Sequence, residues 1–246
     1  MPIVIAYDEA RANQRVTKSR FNDTDVKIVE TPFLGERGNP DLPLVILAAF
    51  DPGRYSSPHY HDTDQFQVMT AGKGKLGRHN IATNSIHFAR ANTPYGPFVA
   101  DAEAGLTCLI IRAHPDSGSQ HSDEAMARLI RMPDRRPWQV TSHASFPAMD
   151  AADVLLRPIA GIENPEGLAA HTLGMKPGAA AFTDEPDHGD GLFVVVLKGS
   201  LLHDGKESRG LALVYLSPRE EKFQICAGPD GLEGLVLQFP KPRVLP

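Results

Sequence analysis

The stretch Gly53-Arg-Tyr-Ser-Ser-Pro-His59-Tyr-His61-Asp-Thr-Asp-Gln65-Phe-Gln-Val-Met-Thr-Ala-Gly72 decides how this chain is read. On a β-strand side chains alternate with period two, so His59 and His61 fall on one face. Gln65 follows four residues on, beyond a turn that Asp62 and Asp64 would solvate. Its carbonyl oxygen can close on the same point. Two imidazoles and an oxygen suit a first-row transition metal. The glycines at 53 and 72 permit tight turns between short strands. The same alternation sends Ser57, Gln67 and Met69 to the side of the imidazoles, as candidates to line a pocket.

Working outward, most of the chain consists of short β-branched or aromatic runs between Gly, Pro, Asn and Asp. Leu42 to Phe50, Gln65 to Thr70, Phe193 to Leu197 and Leu211 to Leu216 are the clearest. This pattern predicts an all-β sandwich or barrel. One segment departs from it, Ser122-Asp-Glu-Ala-Met-Ala-Arg-Leu-Ile-Arg131. Ser122 caps a helix there, Asp123 and Glu124 suit its first turn, and Ala125, Met126, Leu129 and Ile130 supply an apolar stripe. Pro133 stops it.

The pattern also repeats. Pro52-Gly53 is echoed by Pro177-Gly178, Gly72 by Gly199, and Gly105-Leu-Thr-Cys-Leu-Ile-Ile111 by Gly231-Leu-Glu-Gly-Leu-Val-Leu237. The same order of turn and strand signals at one long spacing predicts duplicated domains. The division expected is a polar N-terminal arm over 1–25, a first domain over 26–113, a helical and Pro-rich connector over 114–150, and a second domain over 151–246. The arm is either loosely held or packed across a neighbouring subunit.

Composition sets the outer bounds. Of 246 residues 41% are hydrophobic, with 21 Gly and 21 Pro, which is ordinary for a turn-rich globular chain. The net charge of −5 and the lack of a basic stretch argue against nucleic acid as a partner. No apolar run is long enough to span a bilayer, and the N-terminus lacks the features of a signal peptide. The two cysteines, Cys108 and Cys226, read as reduced thiols in a cytoplasmic protein.

The frame G-x5-H-x-H-x3-Q-x6-G over 53–72 resembles the first signature of the cupin superfamily, with Gln65 where that family usually has glutamate. The family's second signature, G-x5-P-x-G-x2-H-x3-N, has its counterpart in Asn84-Ser-Ile-His-Phe-Ala-Arg90-Ala-Asn92-Thr-Pro-Tyr95-Gly-Pro-Phe-Val99. Aligned on Thr-Pro-x-Gly, it puts Tyr95 in the histidine slot, and no family Gly or Pro stands at 84, 90 or 92. The resemblance runs from about residue 26 to 240. It implies a bicupin: all-β, two cupin jelly-roll barrels in tandem joined by a short helical connector. In the second barrel the ligand slots fall on Asp184, Pro186, Leu192 and Phe223, which implies a barrel lacking metal ligands. Asp184, Glu185, Asp187, His188 and Asp190 read as a solvated loop.

For the first barrel the resemblance implies a metal shell of His59, His61, Gln65 and Tyr95, holding Fe, Mn, Ni or Zn, or no metal at all. Gln65 offers only a neutral oxygen, so the shell gains an anionic ligand only if Tyr95 ionises. His79 and His87 are the alternatives for the lost histidine. The function implied is a metal-dependent, dioxygenase-like enzyme acting on a small molecule in the N-terminal barrel. The alternative is a non-catalytic binding or scaffold bicupin with a lapsed metal site. A metal-free epimerase or isomerase is a third class, and it requires a His-Asp base pair. A homodimer is expected, as cupins often form one, with a small-molecule ligand or substrate and neither nucleic acid nor membrane as partner.

Overall fold

The computed structural model describes residues 1–21, 24–36, 39, 41–132, 135–146, 148–150 and 152–242, with side chains at 18–21 and 24–26 left aside. Two compact units emerge, Asn13–His143 and Met1–Ala12 together with Ala144–Pro246. β1 (Ile3–Ala6) and α1 (Tyr7–Arg11) open the chain. The 13–143 unit runs β2 (Arg15–Phe21), β3 (Thr24–Leu34), β4 (Leu44–Phe50), β5 (Tyr55–Ser56), β6 (Gln65–Leu76), β7 (His79–Ala82), β8 (Ser85–Ala89), β9 (Phe98–Ala100), β10 (Leu106–Arg112), α2 (Asp123–Ile130) and β11 (Gln139–His143). The rest carries β12 (Val154–Glu163), β13 (Ala169–Met175), β14 (Ala180–Phe182), a 3-10 turn (Pro186–His188), β15 (Leu192–His203), β16 (Lys206–Arg209), β17 (Ala212–Leu216) and β18 (Gln224–Gln238).

The mostly-β expectation holds. In the 13–143 unit the antiparallel order is β11-β8-β6-β10-β4-β3-β2. In the other it is β1-β17-β15-β18-β13-β12, with β14 on β18 and β16 on β15. Among the described residues neither ladder closes on itself, so the barrels expected from the sequence are open sheets by hydrogen bonding. Residues 3–6 of the expected N-terminal arm form a strand, which pairs along β17 of the same chain from Ile3↔Tyr215 to Ala6↔Ala212. Residues 15–21 form the edge strand of the other sheet.

The duplication read from the sequence has a geometric counterpart. Gly72 and Gly199 have φ of 77° and 75°. A Cβ on Gly72 would stand 2.3 Å from the Gly105 carbonyl oxygen, and one on Gly199 2.0 Å from the Gly231 oxygen. Those carbonyls belong to the echoed pair, so each unit makes the same close approach at the same place. β11 beside β8 and β1 beside β17 likewise fill the same position.

The helix forms as its sequence predicts, from the Ser122 cap, whose Oγ accepts from the Ala125 amide at 3.1 Å. Ala125 and Leu129 are buried against Tyr60, whose hydroxyl donates to the Ala125 carbonyl at 3.3 Å. Ile130 does not join that stripe and is 84% exposed. It lies about 100° round the helix from Leu129. Helix and following loop up to 143 fall within the 13–143 unit. Pro133, the expected stop, lies outside the described residues. Among the described residues no helix is long and apolar enough to cross a membrane.

In the second unit two of the four slots read as lacking ligands are occupied by core, while Asp184 is exposed. Leu192 and Phe223 are buried with Leu173, Val194, Val214 and Val236. Each such side chain contributes roughly 1.5–3 kcal/mol by leaving water. In the first unit the register of β10 on β6 fixes which side chains of the two strands meet. It sets Cys108 opposite Met69, Ile110 opposite Gln67 and Arg112 opposite Gln65.

Candidate functional site

His59 and His61 lie on an extended segment held by isolated bridges, one to Tyr95 and one, through Tyr60, to Gln120. Mutual backbone bonds between His59 and Tyr95, of 3.1 and 3.0 Å, set the tyrosine directly across from the first histidine. Their rings are 4.6 Å apart, and the two histidine rings 5.4 Å. His59, His61, Gln67, Tyr95 and Arg112 line one cavity of about 370 Å³.

The histidine protons follow from their partners. His59 Nδ1 lies 2.9 Å from the Ser57 carbonyl oxygen, which only accepts, so Nδ1 carries the proton. His61 Nδ1 is hydrogen-bonded to the Asp116 carboxylate, so it too is protonated. In each ring Nε2 is then the lone-pair nitrogen, the arrangement metal-ligating histidines use. On His61 that lone pair is already engaged. Arg112 Nη2 sits 3.3 Å from it. The same guanidinium reaches Asp116 Oδ1 at 3.2 Å and, weakly, Gln65 Oε1 at 3.5 Å.

Burial governs the electrostatics. It lowers the His59 pKa to about 3, with His61 adding to the shift. It lowers His61 to about 4, followed by the Arg112 charge, with Asp116 opposing. Both imidazoles are therefore neutral near pH 7. Burial also pushes the Tyr95 phenol well above its usual range, so the hydroxyl stays protonated.

The metal shell expected from the sequence is brought together only in part. His59, His61 and Tyr95 share the cavity, while Gln65 lies behind it, 1% exposed and turned to Arg112. Among the described residues no group of three His, Cys, Asp or Glu side chains could hold a metal ion. The donors that remain do not fit a divalent ion as they stand. Tyr95 is neutral, Asp116 faces the protonated nitrogen of His61, and a guanidinium occupies the other. A divalent charge about 4 Å from a guanidinium would meet repulsion on the order of 8 kcal/mol at an effective dielectric near 20.

Of the pocket candidates, Gln67 lines the cavity, and its amide lies 3.5 Å from the Tyr95 hydroxyl. Ser57 supports rather than lines, through its carbonyl to His59 and a 3.0 Å contact from Oγ to His121 Nδ1. Met69 is fully buried in an apolar cluster with Leu76 and Cys108. His79 lines a different and larger cavity, of about 910 Å³. His87 is buried on β8, with Nδ1 2.9 Å from Thr141 Oγ1 and its ring 5.3 Å from Tyr95.

Three site residues went unread in the sequence: Arg112, Asp116 and His121. His121 packs its ring 4.6 Å from that of His59. Asp116 and His121 come from the loop after β10, which is stitched onto the histidine segment. Ser117 Oγ donates to Asp62 at 2.8 Å, and Gln120 N donates to the Tyr60 carbonyl at 2.9 Å. Asp62 therefore anchors that loop as well as turning the chain. Asp64 accepts from the Ala91 amide at 2.7 Å. Arg112 closes the β10 strand, one residue beyond the apolar run from Gly105 to Ile111 read in the sequence.

No protein-family model and no curated protein matches the sequence. Solved structures do. A protein from Nostoc punctiforme aligns with TM-score 0.67 at 10% identity, covering 99% of this chain and 85% of its own. The Escherichia coli pirin YhhW in complex with nickel(II) aligns with TM-score 0.60 at 9% identity, covering 98% and 100%. Bacillus subtilis oxalate decarboxylase, with Mn(II) centres, aligns with TM-score 0.58 at 10% identity, covering 99% and 78%. At such identities the likeness is one of fold. The chain shares with these proteins a mostly antiparallel β fold, and its two units repeat one strand order.

Proposed function

We propose that the chain is a cupin-type small-molecule-binding protein acting through the cavity of the 13–143 unit, with a lapsed metal centre at its wall. The observation that carries this reading is Arg112 Nη2 at 3.3 Å from the lone pair of His61. The polar groups lining the cavity are then the His59 Nε2 acceptor, the Tyr95 hydroxyl and the Gln67 amide. A volume of about 370 Å³ is in the range of small-ligand sites. The ligand class is a small organic molecule bearing a hydroxyl or amine that donates to His59. With its pKa lowered to about 3, His59 is a weak general base, which favours binding over proton abstraction. The test is native mass spectrometry of the purified chain, followed by extraction of any bound compound. A retained compound, lost in His59→Ala with Gln67→Ala, is the expected result. A chain that retains no compound, and whose melting no screened small molecule shifts, speaks against it.

A second reading, a metal-dependent and dioxygenase-like enzyme, is supported by one feature. Both histidines have their Nδ1 held by an acceptor, as ligating histidines do. In it His59, His61, Gln65 and Tyr95 take a transition metal such as the nickel and manganese of the two neighbours. Elemental analysis of wild type against His59→Ala/His61→Ala separates the readings: stoichiometric metal lost in the variant establishes the second. We further propose 26–113 and 151–246 as tandem barrels around a 114–150 connector. A homodimer and a reducing, cytoplasmic setting belong to the same proposal. Both cysteines are free thiols, which supports the setting, and light scattering on a sizing column tests the dimer.

A further inference from the structure

We infer that Arg112 is a built-in replacement for the metal: its guanidinium takes the donor atoms a metal ion would take, and its presence is what keeps the two-histidine site metal-free. Arg112 ends β10 directly opposite Gln65, where β6 begins. From there it contacts His61 Nε2 at 3.3 Å and Gln65 Oε1 at 3.5 Å. Those two atoms are the inner donors of their residues in the shell read from the sequence. The third contact, to Asp116 Oδ1 at 3.2 Å, supplies the counter-charge.

The glutamine at 65 then follows from the same cause. A glutamate at 65 balances a divalent cation. Here the resident cation carries a single charge, and Asp116 already balances it. A second carboxylate at 65 would leave a net buried negative charge, whereas a glutamine accepts from the guanidinium without adding one. Asp116 also fixes the His61 tautomer, so the lone pair faces Arg112. The guanidinium keeps its charge at any ordinary pH, so no change of acidity vacates the place.

The inference depends on the binding-site reading only for its location. Ligand capture tests that reading, and metal uptake tests this one. Wild type, Gln65→Glu and Arg112→Ala/Gln65→Glu are incubated in turn with Ni(II), Mn(II) and Zn(II), desalted and analysed for metal. Wild type and Gln65→Glu are expected to retain none. The double variant is expected to retain metal approaching one ion per chain, roughly tenfold or more above the background left on wild type after desalting, and adding His59→Ala is expected to abolish it. Arg112→Gln/Gln65→Glu, which keeps a donor for Asp116, repeats the measurement if the alanine form does not fold. Stoichiometric, His59-dependent metal in wild type overturns the inference. So does a double variant that melts cooperatively yet retains no more metal than wild type.

Discussion

The Arg112–Asp116 pair sets the energetic character of the site. The two side chains are 6% and 0% exposed, so neither charge is screened by water. Removing one partner of such a pair costs roughly 3–5 kcal/mol, because the other is left buried and uncompensated. Asp116→Asn should therefore destabilise the 13–143 unit strongly. Asp116→Leu with Arg112→Met should cost much less than the sum of the single changes. Urea titrations of the four proteins give the coupling, and additive losses would show that the pair does not act as a unit. His59 and His61 were legible from spacing alone, because a two-residue period needs no knowledge of the fold. Arg112, Asp116 and His121 were not, because they arrive from some fifty positions downstream through a strand register and a loop closure. Period-two patterning carries no register. The slot of Gln65 was visible in the sequence, but the arginine opposite it was not.

Buried histidines add a pH dependence with a definite sign. His87 titrates near 6.5 when exposed and at about 3 in the fold, because of burial first and His79 second. Between those values the unfolded chain binds the proton and the folded chain does not. Stability therefore rises with pH across that window. The contribution is complete above about 6.5 and is lost as pH falls towards 3. His59 and His61 act in the same direction. Melting temperature should fall steadily on acidification from neutral pH, and His87→Gln should flatten part of that slope. An unchanged slope would mean that other groups dominate acid unfolding.

At the scale of elements, α2 is the clearest case of local sequence specifying local structure. Cap, first-turn acids and the i, i+4 pair Ala125 and Leu129 agree with one another, and the helix forms where they place it. The sequence did not reveal that its apolar face would cover Tyr60, next to both site histidines. This gives the helix a role in holding the histidine segment. Ser122→Ala should cost about 1 kcal/mol through loss of the cap. Leu129→Ala should cost roughly 2–5 kcal/mol and loosen Tyr60 as well. Amide exchange would read this as faster exchange at Tyr60 and Gln120, whose backbones bond each other. Slow exchange there in Leu129→Ala would separate helix packing from the site.

For the whole molecule, the repeat was legible through its glycines and closing strands, whereas the place of the N-terminus was not. Ile3 to Ala6 is too short and too weakly patterned to declare a partner. Yet it occupies beside β17 the position that β11 occupies beside β8. The second unit therefore draws an edge strand from the other end of the sequence, a closure that neither composition nor periodicity encodes. Without it the backbone of β17, whose residues are all buried, would present an unpaired edge. The Met1 amino group adds an ion pair to Glu220 at 2.6 Å. Deleting residues 1–6 should accordingly lower the melting temperature of the 144–246 unit and promote association through the bared edge, while metal content and ligand retention in the 13–143 unit stay as in wild type. Calorimetry with light scattering on the truncated chain checks both. A truncated chain with unchanged melting would mean that the first strand lies on the sheet without supporting it, and that the second unit is complete with its other seven strands.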